Sequence, residues 1–334
     1  MAERLIEVVL DSDPRDRLSK ILEEISVIAH WSAKLDEDMW QTKILLLAEN
    51  SEKILDTLAR EFSSNPSFRV VIIPVEASIP RVEEDKEEKE KQQVEDKPIF
   101  KRISREELYQ DISASISNNA VDLVMVVLSA IVATIGLVRN SPAIVVGAMV
   151  IAPMLGPNVA QAFATTLGDS SLAFKAIRTN LIRIGLGFIF SLFVGFFLRV
   201  EHTIPEISSR TVVDFGDIIL AFSSGTAAAL SMTSGLATSL IGVMVAASLL
   251  PPLATSGILL GNGNLQGSLN ALLLFFVNIV CVNLSSTITF RLQGLGPRTW
   301  WEANKAGKAV KVALIGWFIL LSLLAFAIFL DRGI

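Results

Sequence analysis

The sequence has 334 residues, of which 51% are hydrophobic and 19% are charged, and its mean hydropathy is +0.53. Soluble globular proteins carry about 25% charged residues, so this deficit indicates a membrane protein. The charge is also uneven: residues 1–119 hold 17 basic and 26 acidic side chains, whereas residues 120–334 hold 12 and 8. We therefore expect an acidic soluble domain followed by a membrane domain.

Several classes of function lack their characteristic residues here. A single cysteine, Cys281, excludes a disulfide scaffold and a cysteine metal cluster, and His30 and His202 are too far apart in the chain for a multi-histidine site. The sequence has no phosphate-binding loop, nucleophile elbow or zinc-protease motif. We therefore expect no enzyme, no metal, no cofactor and no nucleic-acid partner.

Residues 1–78 alternate between strand and helix patterns. Apolar alternation predicts strands at 5–10, 27–33, 42–48 and 68–75, and helical spacing predicts helices after Asp13 and at 51–62. The resulting order β-α-β-β-α-β is typical of an α+β ferredoxin-like domain. This fold is compatible with an assembly module or with a sensor of small ligands, so it does not fix a role.

A charged segment separates this domain from the membrane part. Residues 79–103 are rich in Glu and Lys, which predicts a solvated linker. Ser104 and Glu107 then form a capping-box pattern, and apolar residues recur every four positions from Leu108. We expect an amphipathic helix over 104–118 that lies on the membrane surface.

Seven apolar segments follow within the α-helical, multi-pass membrane domain predicted at 119–334. They cover roughly 120–138, 142–167, 177–198, 215–233, 236–260, 268–290 and 312–330. A cytoplasmic N-terminus places eight basic side chains near the inner side and four near the outer side, which agrees with the positive-inside rule. We expect insertion in the inner (plasma) membrane of the cell with the N-terminus in the cytoplasm.

The membrane domain contains an internal repeat with an offset of 95 residues. Residues 147–157 align without gaps to residues 242–252, and Asp122 aligns with Asp217. The alignment predicts repeat one at 119–200, repeat two at 214–295 and an extra helix at 312–330. Since each repeat has three spans, the two repeats have opposite orientations in the membrane, a 3+3 inverted repeat plus one span.

Prolines interrupt the second and fifth spans at corresponding places. Each proline removes a backbone donor and leaves carbonyl groups that need partners inside hydrocarbon. Either neighbouring Ser and Thr side chains fill two kinks, or a substrate or ion site lies between two breaks. The candidate residues for such a pathway are Pro153, Gly156, Pro157, Asn158, Gln161, Ser248, Pro251, Pro252, Thr255 and Ser256.

Four further residues are candidates for gating or ion contact. Asp122 and Asp217 are expected near opposite interfaces, where they either cap helix N-termini or attract cations. Arg183 falls early in the third span and either extends toward the interface or contacts an anion. Asn278 is its counterpart in repeat two.

The motif at residues 140–157, together with Ala247–Pro252, resembles the bacterial and archaeal membrane protein family called domain of unknown function 389. The resemblance extends over roughly 115–290. It implies a multi-pass membrane protein, and it brings no established substrate and no functional residues.

From these patterns we expect a homo-oligomeric channel or transporter for a small solute or ion, with its pathway between the broken helices. The soluble domain would regulate or assemble it. Small residues at Ser191 and Gly195 suggest a helix-packing face for the oligomer. The alternative is a non-transporting scaffold or sensor that the membrane domain anchors.

Deletion of residues 1–100 tests the two-domain interpretation. Because the soluble and membrane parts are expected to fold separately, the shortened chain should still insert into the membrane, with altered regulation or assembly. Membrane fractionation and gel filtration in detergent, each beside the full chain, measure the two properties. Complete loss of insertion would contradict the interpretation.

Overall fold

The computed structural model describes residues 3–11, 15–23, 25–36, 39–76, 78, 103–198, 200–201, 203–234, 238–296 and 310–323. The chain divides into two compact units, Met1–Gln110 and Asp111–Ile334. The predicted linker lies almost entirely outside the described residues, as do Asp13 and the end of the predicted last span.

The first unit contains a four-stranded antiparallel sheet with two helices. Its elements are β1 (Glu3–Leu10), α1 (Arg15–Glu23), β2 (Ala29–Lys34), β3 (Trp40–Leu47), α2 (Ser51–Phe62) and β4 (Arg69–Val75). The strand order is β2-β3-β1-β4, and every neighbouring pair is antiparallel. The predicted element order β-α-β-β-α-β is therefore confirmed, with strand ends displaced by about two residues.

One face of this sheet forms the core of the first unit. Side chains on β1 alternate between half-buried and buried, which places Ile6, Val8 and Leu10 in the core. Helix α2 contributes Ile54 and Leu58 at helical spacing. Apolar residues at every second position of the strand and at helical spacing in α2 thus form one apolar layer.

Helix α3 (Arg105–Ser115) follows the predicted capping pattern only in part. The Ser104 hydroxyl accepts a hydrogen bond from the Glu107 backbone N–H at 3.2 Å, but the Glu107 carboxylate pairs with Arg4 at 2.8 Å. Leu108 and Ile112 are buried within the protein. The apolar stripe expected to lie on lipid is therefore covered by protein, and the side chains left outside are mainly polar.

The described part of the second unit is helical. Its helices are α4 (Ala120–Val138), α5 (Pro142–Ile151), α6 (Leu155–Leu167), α7 (Ser170–Phe197), α8 (Pro205–Ser208), α9 (Phe215–Ser234), α10 (Thr238–Gly261), α11 (Leu265–Leu292) and α12 (Val310–Leu323). Among the described residues, α4, α7, α9 and α11 are long and apolar enough to cross a membrane. These helices are compatible with a membrane protein.

The two proline positions differ in backbone geometry. Helices α5 and α6 are bent by 55° at the break between them, so together they form a broken span or a re-entrant loop. Pro251 and Pro252, in contrast, lie inside the continuous helix α10. The expected double break in the fifth segment is therefore not observed. The first proline position is broken because Ala152 leaves helical geometry, with ψ of 117°.

Helix bounds repeat with the predicted offset of 95 residues. Helices α4 and α9 begin at Ala120 and Phe215, and α7 and α11 begin at Ser170 and Leu265. The connections also match, since Gly168 and Gly263 have φ of 72° and 79°. Packing follows the same register: α4 packs on α7 as α9 packs on α11, and α10 packs on α7 as α6 packs on α11.

Helices α7 and α10 approach each other through small residues. A Cβ atom on Gly257 would lie 2.7 Å from the Ser191 Cβ, and one on Gly261 would lie 2.5 Å from the Leu192 carbonyl oxygen. Gly195 faces the backbone of Ile258 at similarly close range. The small-residue face that suggested an oligomer is therefore occupied by a helix of the same chain.

Substitution of Gly195 by Ala should destabilise this crossing. The new methyl group would overlap the α10 backbone, which cannot move like a flexible side chain, at a cost of about 1–3 kcal/mol. Gly185→Ala on the same helix is the matched control, because its Cβ would meet nothing within 4 Å. Thermal unfolding in detergent, followed by circular dichroism, should show a lower midpoint for Gly195→Ala alone. Equal midpoints for the two variants would contradict the crossing.

Candidate functional site

Two carbonyl groups in the second unit belong to residues that have a proline four positions later in the chain. In an α-helix the N–H of residue i donates to the carbonyl of residue i−4, and proline has no N–H. Pro157, in the first turn of α6, therefore has no N–H for the carbonyl of Pro153 in the break before it, and Pro252 has none for the Ser248 carbonyl inside α10. An unpaired carbonyl inside a membrane costs several kcal/mol, so each group needs another donor.

Side chains from the third helix of each repeat donate to these carbonyls. The Arg183 Nη1 on α7 donates to the Pro153 carbonyl, and the Asn278 Nδ2 on α11 donates to the Ser248 carbonyl at 2.5 Å. Donors and acceptors are both separated by 95 residues. Each of the two carbonyl groups therefore receives a side-chain donor at the same offset. The donor is the Arg183 guanidinium in the first case and the neutral Asn278 amide in the second.

Arg183 is the centre of the first of these sites. Its Nη2 donates to the Ser117 carbonyl at 2.9 Å and to the Asp122 carboxylate at 3.2 Å. The Arg183 side chain is only 2% exposed, whereas that of Asp122 is 30% exposed. A buried guanidinium is stable only with such partners, since desolvation of an ion in a protein costs several kcal/mol.

Three asparagines extend this polar region into the core. Asn158 on α6 donates to the Met154 carbonyl at 2.9 Å, and its Oδ1 accepts from Asn180 on α7 at 3.0 Å. Asn283 on α11 approaches the same Oδ1 at 3.4 Å. All three asparagines are buried. The cluster joins helices of both repeats just after the first break.

Helix α11 links the two proline positions. Asn278 contacts Ser248 beside Pro252, and Asn283, five residues later on the same helix, contacts Asn158 beside Pro157. We call the set Asp122, Arg183, Asn158, Asn180, Asn283 and Asn278 the polar chain. Its members contact carbonyl groups and one another near both proline positions, and all of them except Asp122 are buried.

The remaining candidate residues are more local. A Cβ on Gly156 would lie 2.8 Å from the Ser115 hydroxyl, so this glycine permits close packing. Ser256 shares a hydrogen bond of 2.9 Å with Ser268 on α11, and Pro251 is buried in α10. Gln161 is half-buried, and its carbonyl accepts from the Thr165 hydroxyl. The buried Thr255 hydroxyl has no hydrogen-bond partner among the residues that the structure describes.

The two aspartates have different surroundings. Asp122 pairs with Arg183, whereas the Asp217 carboxylate accepts from the backbone N–H of Asp214 at 2.8 Å and so caps the start of α9. The capping interpretation therefore fits Asp217. Asp122 instead acts as the counter-ion of a buried cation.

Sequence reasoning did not place Asn180, Ser115, Ser117 and Ser268 at the site. Asn180 precedes Arg183 by three residues, so both lie on one face of α7, and this spacing was a usable signal. Ser115 and Ser117 contact Arg183 through carbonyl groups, which any residue type provides. No sequence pattern indicates such contacts.

Comparisons with known proteins find a matching family model and a relative. The family model described as "Domain of unknown function (DUF389)" matches residues 149–284, which include both proline positions and most of the polar chain. An uncharacterised protein of Methanocaldococcus jannaschii is 37% identical over 279 residues, covering 83% of this chain and 84% of that protein. No solved structure matches the chain.

A double-mutant cycle tests the carbonyl contact in repeat two. Asn278→Ala removes the donor to the Ser248 carbonyl and should destabilise the protein by about 1–3 kcal/mol. In a Pro252→Ala background the loss should be smaller, because an alanine at this position supplies the N–H that proline lacks. Thermal unfolding in detergent gives all four stabilities.

Asn270→Ala is the control for this cycle, because within the described part of the chain the Asn270 side chain accepts a hydrogen bond from Gln266 on its own helix and contacts neither carbonyl group. Asn270→Ala should lower the stability of the protein by the same small amount whether position 252 carries proline or alanine. An Asn278→Ala effect that is independent of residue 252 would show that the carbonyl contact is not what stabilises this position.

Proposed function

We propose that this chain, which belongs to the family described as "Domain of unknown function (DUF389)", is a membrane channel or transporter for a small solute or ion. The observation that carries the proposal is the polar chain, which places a guanidinium and four amides, all buried, among the apolar helices of the second unit. The pathway would follow these residues between the two proline positions.

The energetics of membranes support this proposal. Ionisable and amide side chains within spanning segments are costly, and they commonly mark the routes of ions and solutes. An interrupted helix is a further indicator of such a route, and here the interruption lies between α5 and α6. Here a buried guanidinium, three clustered amides and a 55° break occur together.

The proposed topology has seven spans, formed by a 3+3 inverted repeat and one additional helix. The shared helix bounds and the matched carbonyl contacts at an offset of 95 residues support the duplication. Three spans per repeat make the second repeat inverted. The distribution of basic residues supports a cytoplasmic N-terminus and an inner-membrane location.

Other elements of the proposal concern partners. The lipid bilayer would surround the helices, and the N-terminal sheet domain would regulate or assemble the membrane part. We include a homo-oligomer in the proposal, with an interface other than the Ser191–Gly195 face. The proposed function involves no catalysis, no cofactor and no nucleic acid.

One observation favours the alternative of a non-transporting scaffold or sensor. Arg183 and Asn278 already satisfy the carbonyl groups that the prolines leave open. Under the alternative, these contacts only stabilise a kinked bundle, and the soluble domain carries the activity. Flux measurements separate the two functions.

The experiment measures current and tracer flux through the purified full chain in liposomes. Pro157→Ala combined with Pro252→Ala supplies a backbone N–H at both positions and should straighten the 55° bend between α5 and α6, so flux should fall several-fold while the protein still folds. Pro142→Ala is the matched control, because this proline lies at the first position of α5 and takes no part in the two carbonyl contacts. Unchanged flux in the double variant would show that these two prolines are not needed for transport.

A further inference from the structure

The polar chain also indicates the charge of its ligand. We infer that Arg183 binds a small monovalent anion at the start of α6, and that the pathway therefore selects small anions over cations. The selectivity part rests on the proposed function, whereas the binding part does not.

The first support is an unpartnered donor. Arg183 is 1% exposed, its two terminal nitrogens donate to carbonyl groups and to Asp122, and its Nε has no acceptor among the described residues. A buried N–H without an acceptor is unfavourable, and one on a guanidinium more so. A small anion would supply this acceptor with a charge-assisted hydrogen bond.

The second support is the helix that begins beside this group. The Arg183 guanidinium contacts the carbonyl of Pro153, two residues before the start of α6, a helix of 13 residues. The first-turn N–H groups of a helix have no intrahelical acceptor and carry partial positive charge. The N-cap residue Met154 gives them no side-chain acceptor. The helix start and the guanidinium therefore favour the same sign of ligand.

Asp122 reduces this positive charge without removing it. Its carboxylate contacts Nη2, not Nε, and its greater exposure lets water screen it more than the buried guanidinium. Asn158 and Asn180, beside Arg183, are neutral. A second cation would meet both Arg183 and the start of α6, and it would have to displace Arg183 from its carbonyl partners.

The surroundings limit the size of the ligand. Ser115 lies so close to Gly156, in the first turn of α6, that an added Cβ would overlap its hydroxyl and carbonyl oxygens. Nε carries a single N–H, which can donate to one acceptor atom of the ligand. Halides and small carboxylates such as formate have this chemistry.

Binding is tested on the full chain in detergent by isothermal titration calorimetry with sodium chloride and sodium formate, against sodium gluconate. Arg183→Lys keeps the positive charge but removes Nε, and we expect about tenfold weaker binding. Arg178→Gln, which removes an exposed guanidinium from the same helix, is the matched control and should change the affinity less than about twofold. Equal affinity in wild type and Arg183→Lys would overturn the inference. A loss of affinity in Arg178→Gln as large as that in Arg183→Lys would also overturn it.

Asp122→Asn keeps the test informative if Arg183→Lys does not fold. It removes an opposing charge of a partly exposed side chain, so binding of chloride or formate should become stronger. Unchanged or weaker binding would overturn the inference.

Flux in liposomes with labelled chloride, formate and rubidium separates the inference from the proposed function. Anion flux above rubidium flux supports selectivity, and rubidium flux without anion binding overturns the inference but leaves the proposed function. Anion binding without flux of any of these solutes supports the binding inference and counts against transport.

Discussion

The second unit depends on one constraint: a buried carbonyl with a proline four residues later must find a donor other than that residue's backbone N–H. Prolines at positions 157 and 252 create this requirement for the carbonyls of Pro153 and Ser248. The nearest answer is a side chain on the packed neighbouring helix. Arg183 and Asn278 meet it, and so α7 and α11 are held against the helices that carry the prolines.

The choice of donor then determines what else the site requires. An amide such as Asn278 adds one hydrogen bond and no charge. Arg183 adds a charge that needs several acceptors, so Ser117, Asp122 and the broken backbone at Pro153 gather around it. The 55° bend occurs at the charged site, while α10 stays continuous at the neutral one. The charge and the break therefore occur together.

Much of this architecture was predictable from local patterns. The element order of the N-terminal unit followed from the periods of two and 3.6, and α4 and α2 have the predicted bounds. The offset of 95 residues was visible in the sequence because Gly, Pro and Asp recur in one register. The state of α10 was not predictable, since proline is compatible with a kink or with a continuous packed helix. Contacts to backbone carbonyls, such as that of Arg183 with Ser117, cannot be predicted from residue type, because every residue has a carbonyl group.

The two segments related by the offset of 95 residues share helix starts but differ at the proline positions, both in backbone geometry and in the donor that each carbonyl receives. A duplicated scaffold would satisfy its carbonyls equally well with two amides, since Asn278 already does so. Arg183 is the costlier solution, because it brings a buried charge and a donor that its described neighbours leave unused. Asn158 and Asn180 likewise lie in repeat one, and Asn283 joins them from repeat two. The charged site and the 55° break thus lie in the same part of the second unit, whereas the corresponding position in α10 has a neutral donor and a continuous helix.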